Sequence, residues 1–222
     1  MAANEYPRIF QLGESAITVE FGDSISEILN DRAVSLAERF DRAPFPGFIE
    51  SVPAYASTTV FYDPVAVRRA FPNFNAAGEA VKVLIDSAIA GLDSRETITA
   101  KPIEIPVDFS AECGLDLEEL AVRSSLKVTD VISIFTERLY RVYMLGFLPS
   151  FAYMGKVDER IASPRKETPR TLVPKGSIGI AGRQTGIYSL DSPGGWQIIG
   201  RTDVSMFRPE AARVGHQVPE GV

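Results

Sequence analysis

Residues 180–200 read IAGRQTGIYSLDSPGGWQIIG and gather five glycines, a proline, the single tryptophan and a run of hydroxyl, amide and charged side chains. Gly182, Gly186, Gly194 and Gly195 permit left-handed backbone and a close approach of main-chain amides to a ligand. Arg183, Gln184, Thr185, Ser192 and Arg201 carry the donors and acceptors that bind a small molecule bearing carboxylate or amide groups, and Trp196 offers it an apolar wall. Asp191, set among glycines and hydroxyls, is the carboxylate placed to act as acid or base. The same glycines and proline also suit the tight turns of a β-structure, with Asp191 as a turn cap, and spacing alone favours turns.

Other chemistries find less support. The chain has neither G-x-x-x-x-G-K-[ST] nor G-x-G-x-x-G, and so no nucleotide motif of its own. His216 lies in the polar tail HQVPEG without a Ser or Cys pattern beside it, which reads as a solvated histidine rather than a triad member. With one His and one Cys, zinc would have to draw its other ligands from carboxylates, and no metal is expected. Glu112 and an acidic helix start beside Cys113 disfavour a reactive thiolate. A lone cysteine forms no internal disulfide, which fits a reducing cytoplasm. Asp158 and Asp203 read as turn residues. In GFLPSFAYMG, residues 146–155, Phe147, Phe151 and Tyr153 alternate, as inward-packed aromatics or as a pocket rim.

The formal net charge of -6 repels phosphate backbones. Lys156, Arg160, Arg165, Lys166, Arg170 and Lys175 are interleaved with Asp158, Glu159 and Glu167, so this stretch reads as a solvated surface and no nucleic-acid partner is expected. No apolar run approaches the ~20 residues that cross a bilayer, and MAANEYPRIF lacks the basic and apolar regions of a secretion signal. A cytoplasmic protein without a membrane role is the expectation.

The elements that must position these residues follow from periodicity. Ile17, Val19 and Phe21 alternate as a half-buried strand. Ser24 and Glu27 form a capping box ahead of a helix over 24–41, which PFPG ends. Phe48–Val52 and Ser57–Tyr62 read as strands, Asp63 and Pro64 open a second helical region, and 79–92 carries apolar residues at helical spacing with Gly91 near its end. A strand over 98–107 completes a split βαβ arrangement, with the alternation of Ile103, Ile105 and Val107 running into the next domain. Polar LDSRET, residues 92–97, marks the domain boundary. Helices follow over 116–124 and from the Thr129 cap through Leu139, and from Met144 onward short strands and turns suggest a barrel or sandwich.

The runs LGFLPSFAYMG, ASPRKETPRTLVPKGSIGIAG and QTGIYSLDSPGGWQIIGRT resemble the signature of the 5-oxoprolinase B-type subunit family, also known as the KipI or allophanate hydrolase subunit 1 family. ESAITVEFGDSISEILNDRAVSLAERF and SVPAYASTTVFYDP are similar as well, so the likeness covers nearly the whole chain. It implies an α+β protein: a small βαββαβ-like α/β domain over 1–94 and a cyclophilin-like β-barrel domain over 95–222. It also implies a subunit of an ATP-dependent complex that hydrolyses 5-oxoproline (pyroglutamate) to glutamate, working with a sister cyclophilin-like subunit of the C type and a third of the A type. ATP is then a co-substrate of the complex that this chain does not bind alone. The family's other branch implies an alternative, a KipI-like inhibitor of a sensor histidine kinase.

The chain departs from the family pattern at several positions. Phe135 stands where a histidine is common, and phenylalanine cannot shuttle a proton. Ser150 and Ala152 replace the usual Gly and Pro, Ser189 replaces a frequent Pro, and DFSA at 108–111 replaces Cys-Tyr-Gly-Gly. The chain stops at HQVPEGV, before the P-G-D turn and last strand usual in the family: either it is truncated or its tail has diverged, and a barrel left unclosed would have an exposed edge.

Overall fold

The computed structural model describes residues 5–92 and 101–207. The chain divides into two compact units, Met1–Thr99 and Ala100–Val222. His216, the C-terminal tail and residues 98–100 of the expected last strand lie outside the described residues. Among those described, no helix is long and apolar enough to cross a membrane.

In the first unit the order is β1 (Arg8–Gln11), β2 (Ala16–Glu20), α1 (Glu27–Arg42), β3 (Phe48–Pro53), β4 (Ser57–Tyr62), α2 (Pro64–Ala70) and α3 (Ala77–Ala90). The strands form one antiparallel sheet, β1-β2-β4-β3. Period-2 alternation puts Ile17 and Val19 of β2 and Val60 and Tyr62 of β4 on one face. There they pack against Leu36 and Phe40 of α1 and Val81 and Ile85 of α3, whose 3.6-residue spacing gathers them into one stripe. Asp63 caps α2, accepting from the Val65 and Ala66 amides at 2.8 and 3.2 Å.

Two expectations fail here. The helix starts after Ser26, whose side chain makes no cap bond, so the Ser24–Glu27 capping box does not form. The sheet's fourth strand is β1 rather than a strand over 98–107. Residues 101–107 adopt no strand, because Pro102 and Pro106 remove amide donors that a ladder needs. Ile105 and Val107 instead pack on the core of the second unit.

The second unit holds α4 (Leu117–Arg123), α5 (Val128–Thr136), β5 (Arg141–Leu145), β6 (Ala152–Gly155), a 3-10 turn (Glu159–Ile161), β7 (Arg170–Val173), β8 (Ser177–Ala181), β9 (Gln184–Ile187), β10 (Ser192–Gly194) and β11 (Gln197–Arg201). The fold is α+β, but the described strands do not close into a barrel. They make a five-stranded antiparallel sheet, β11-β8-β9-β6-β5, and a separate pair, β10-β7. The five-stranded sheet begins at β11 and ends at β5, and three-residue β10 turns away to pair with β7. Helix α5 is capped at Lys127 rather than Thr129 and stops at Thr136, leaving Leu139 82% exposed. Phe135 is buried against the Tyr140 ring at 4.9 Å and belongs to the core with Leu120, Val131 and Ile180.

The loop before β6 puts two non-glycine residues in the left-handed region, Phe147 at φ 62° and Ser150 at φ 60°. Phe147, expected either to pack inward or to rim a pocket, is 61% exposed with its ring edge-on to Phe151 at 5.6 Å, whereas Phe151 is buried. At Ser150 a glycine would relieve the Cβ contact that L-residues suffer at positive φ. Ser150→Gly is therefore expected to stabilise the protein by about 1 kcal/mol net of glycine's entropy cost, measured as a higher urea midpoint at constant m.

Candidate functional site

Three connections of the second unit meet around one cleft of about 310 Å3. Pro174, Lys175 and Gly176 come from the β7–β8 connection, Tyr188, Ser189 and Asp191 from the β9–β10 connection, and Arg201–Met206 from the end of β11 and the chain after it. Backbone bonds join them: the Gly176 amide donates to the Tyr188 carbonyl at 2.6 Å, and the Thr202 amide donates to the Gly176 carbonyl at 2.9 Å. Asp191 Oδ1 accepts from the Lys175 amide at 2.7 Å. Asp191 is thus both the turn cap that spacing favoured and a wall of the cleft.

Of the residues singled out in the sequence, the cleft unites Asp191 and Arg201. The others go elsewhere. Arg183 pairs with Glu159 at 2.9 Å on an exposed surface. Gln184 sits at the start of β9, opposite Ala181 and Gly155. Thr185 is fully buried and donates its hydroxyl to the Gly179 carbonyl at 2.9 Å. The Ser192 hydroxyl lies 3.2 Å from the Pro193 carbonyl. Trp196 is 5% exposed and stands edge-on to Phe151, ring centroids 5.6 Å apart.

The glycine-rich stretch therefore holds the protein's own aromatic rings. Phe151 lies between Tyr153, Tyr188 and Trp196 at 4.7, 5.3 and 5.6 Å. A Cβ on Gly186 would lie 2.7 Å from the Phe151 ring, so only glycine lets the ring seat against β9. This cluster backs the cleft through Tyr188, whose phenol is pushed above its usual pKa by burial, an effect the Trp196 backbone amide partly opposes.

Sequence reasoning missed Lys175, Gly176, Tyr188 and Ser189 as cleft residues, because they flank turns whose closure depends on distant strands. Ser189 was visible only as a departure from the family pattern. It is buried, and its hydroxyl has no hydrogen-bond partner among the described residues. An unsatisfied buried group of this kind costs about 1–3 kcal/mol. The Arg201 guanidinium likewise has no hydrogen-bond acceptor among the described residues. Asp108 is its electrostatic neighbour, and that carboxylate already accepts from the Ser110 amide at 2.8 Å and the Cys113 thiol at 3.3 Å. The Ser110 amide is the main cause holding Asp108 below the usual carboxylate range.

The basic stretch is not uniformly solvated as expected. Lys166 and Arg170 turn inward onto Asp116, which is 2% exposed. Asp158 does act as a turn residue, accepting from the Arg160 amide at 3.0 Å and pairing with Arg160 and Arg138 at 2.9 Å each.

The cleft offers two cations (Lys175, Arg201), two carboxylates (Asp191, Asp203) and one unpartnered hydroxyl, a set suited to a small polar molecule. Among the described residues no group of three or more His, Cys, Asp or Glu could hold a metal ion. The glycines of 182–200 lie in β-strands or in the connections between them and open no helix, so they do not make the helix-end cradle that binds phosphates.

The family described as carboxyltransferase domain, subdomain C and D, matches residues 7–215. The chain is 44% identical over 204 residues to the B-type subunit of the 5-oxoprolinase of Bacillus subtilis (strain 168), covering 91% of this chain and 85% of that protein. It is 34% identical over 203 residues to the B-type subunit of the 5-oxoprolinase of Escherichia coli O157:H7, covering 91% and 87%. The crystal structure of TTHA0988 superposes with a TM-score of 0.73 at 37% identity, over 88% of this chain and 36% of that one. The chain thus spans about a third of the length of that solved neighbour.

Proposed function

We propose, since the chain belongs to the carboxyltransferase domain family of the subdomain C and D type, that it is the B-type subunit of an ATP-dependent 5-oxoprolinase complex that opens 5-oxoproline to glutamate. The observation that carries this reading is the 44% identity over 91% of the chain to a 5-oxoprolinase component of that type. The kinase-inhibitor alternative is not the one these relatives favour, since both are named for the oxoprolinase. The second unit is read as an open form of the cyclophilin-like architecture, and the two units as separate domains meeting near residues 94 and 95.

A division of labour follows from the chemistry. The lactam is stable, so its carbonyl has to be activated at the expense of ATP. The sequence carries neither nucleotide-binding motif, and this supports a reading in which partner subunits of the C and A types handle the nucleotide and this chain works on the substrate side. Arg201 pairs with the substrate carboxylate, and Asp191 accepts from the lactam N–H through the oxygen not engaged by Lys175. Arg183, Gln184, Thr185, Ser192 and Trp196 then support the walls rather than touch the substrate, given the partners they already have.

The test is reconstitution. The chain is co-expressed with the neighbouring subunits and glutamate release from 5-oxoproline is followed with and without ATP. Activity is expected only when ATP and all subunits are present. Full activity after omission of this chain would overturn the assignment.

A further inference from the structure

We propose that Ser189 is a specificity-determining residue of the cleft, its hydroxyl and the Arg201 guanidinium of the same cleft together binding the carboxylate of the small ligand. This rests on the reading of the cleft as the substrate side of the complex. Buried side-chain polar atoms are nearly always partnered, and three among the described residues are not: the hydroxyls of Tyr62, Tyr140 and Ser189. Tyr62 lies in the core of the first unit and Tyr140 packs against Phe135. Ser189, 6% exposed, lines the cleft with its hydroxyl oxygen out of solvent contact, so a turn about its χ1 bond toward a cleft ligand gives the hydroxyl the partner that the fold withholds.

The charges around it select the ligand class. Arg201 has no hydrogen-bond acceptor among the described residues, and Asp108 nearby is already engaged by Ser110 and Cys113. Lys175 adds a second cation, with Asp191 and Asp203 on the same walls. Two cations offset by two carboxylates leave no excess charge for a dianionic phosphate. They suit a monoanion whose carboxylate meets Arg201 and Ser189 while a neighbouring donor group meets an aspartate. A lactam acid has that shape.

The experiment compares 5-oxoproline with 2-pyrrolidone, the same lactam without its carboxylate. Calorimetric titration of the full-length chain and KM and kcat of the reconstituted complex are measured for the wild type, Ser189→Ala and Arg201→Gln. Ser189→Ala is expected to weaken 5-oxoproline about tenfold, seen as a higher KM with kcat unchanged, and to leave 2-pyrrolidone affinity where it was. Arg201→Gln is expected to lose more, and to remove the preference for the acid. A merely structural Ser189 would weaken both compounds alike, and that result overturns the proposal. If the complex is active and neither variant shifts KM, the carboxylate is held elsewhere and the function stands. If the wild-type complex releases no glutamate but the chain still prefers the acid in a Ser189-dependent way, the carboxylate site stands and the function falls.

Discussion

Replacing Asp116 by asparagine is expected to lower the stability of the second unit by about 3 kcal/mol, through the loss of a charge that several buried groups share. Asp116 accepts from Arg170 through both guanidinium nitrogens at 2.8 and 2.7 Å, from Lys166 at 2.8 Å and from the Ile198 amide at 2.7 Å. Its own amide donates to the Ile198 carbonyl at 2.7 Å, so the residue ties the start of α4 to β11. Without the carboxylate, Arg170 and Lys166 keep their charges in sites where their side chains are only 25% and 24% exposed. A drop in Tm on the order of 10 to 20 °C would accompany such a loss in a unit of this size. Adding Arg170→Met to Asp116→Asn removes one stranded charge and is expected to recover part of the stability, giving a coupling energy in a double-mutant cycle. A single-variant effect below about 0.5 kcal/mol would mean the network is no more than a surface cluster.

The same residue gives the acid side of the stability curve its shape. Burial by itself would raise the Asp116 pKa, but the hydrogen bonds from Arg170, Lys166 and the Ile198 amide outweigh it and hold the carboxyl below its ordinary value. A folded-state value below the unfolded one of about 3.9 means that the folded form resists protonation. The stabilisation is complete above that unfolded value and is lost as pH falls through the folded one. Denaturation midpoints of the wild type should therefore fall steeply below about pH 4, and those of Asp116→Asn less so. Parallel curves for the two proteins would contradict this account.

Gly176→Ala is expected to cost about 3–5 kcal/mol and to abolish ligand binding in the cleft. Gly176 has φ 80°, where an L side chain is strained, and a Cβ there would run into the Thr202 carbonyl oxygen. That oxygen belongs to backbone, so no rotamer change relieves the contact. Relief would require the chain after β11 to move away, breaking the Thr202-to-Gly176 bond and carrying Arg201 with it. Gly182→Ala separates the two effects: φ there is 59°, but nothing lies within 4 Å of the added carbon. It should cost about 1 kcal/mol and leave binding intact. Equal losses for both variants, by urea denaturation and by titration with 5-oxoproline, would show that conformational strain alone is at work.

Much of the fold was legible because one-sided burial writes a period into the sequence. α1 and α3 follow Leu36, Phe40, Val81 and Ile85, and β2 and β4 follow Ile17, Val19, Val60 and Tyr62. Asp63 followed by Pro64 marked the start of α2. The failures share a cause as well. β1 is four residues with three exposed and shows no alternation, so only its pairing with β2 makes it a strand. Ile103, Ile105 and Val107 do alternate, but two prolines deny them a ladder.

The sequence by itself determined what kinds of groups the stretch 180–200 holds, and that nucleotide chemistry has no motif here, because those statements depend on residue identity and local spacing. It also carried the family, through long runs that need no coordinates to match. Which groups face a common cleft was decided by tertiary structure alone. Asp191 and Arg201 line one cleft, and Thr185 and Trp196 do not, because strand pairing brings three separate connections together and turns alternate side chains to opposite faces. The inward reach of Lys166 and Arg170 is of the same kind: their partner Asp116 is about fifty residues away in sequence, and only the docking of α4 on β11 brings it within 3 Å. Five glycines in one stretch first suggested room for a ligand. Folded, one of them admits the ring of Phe151, and the room that remains lies between the Tyr188–Asp191 part of the stretch and the chain from Arg201 onward.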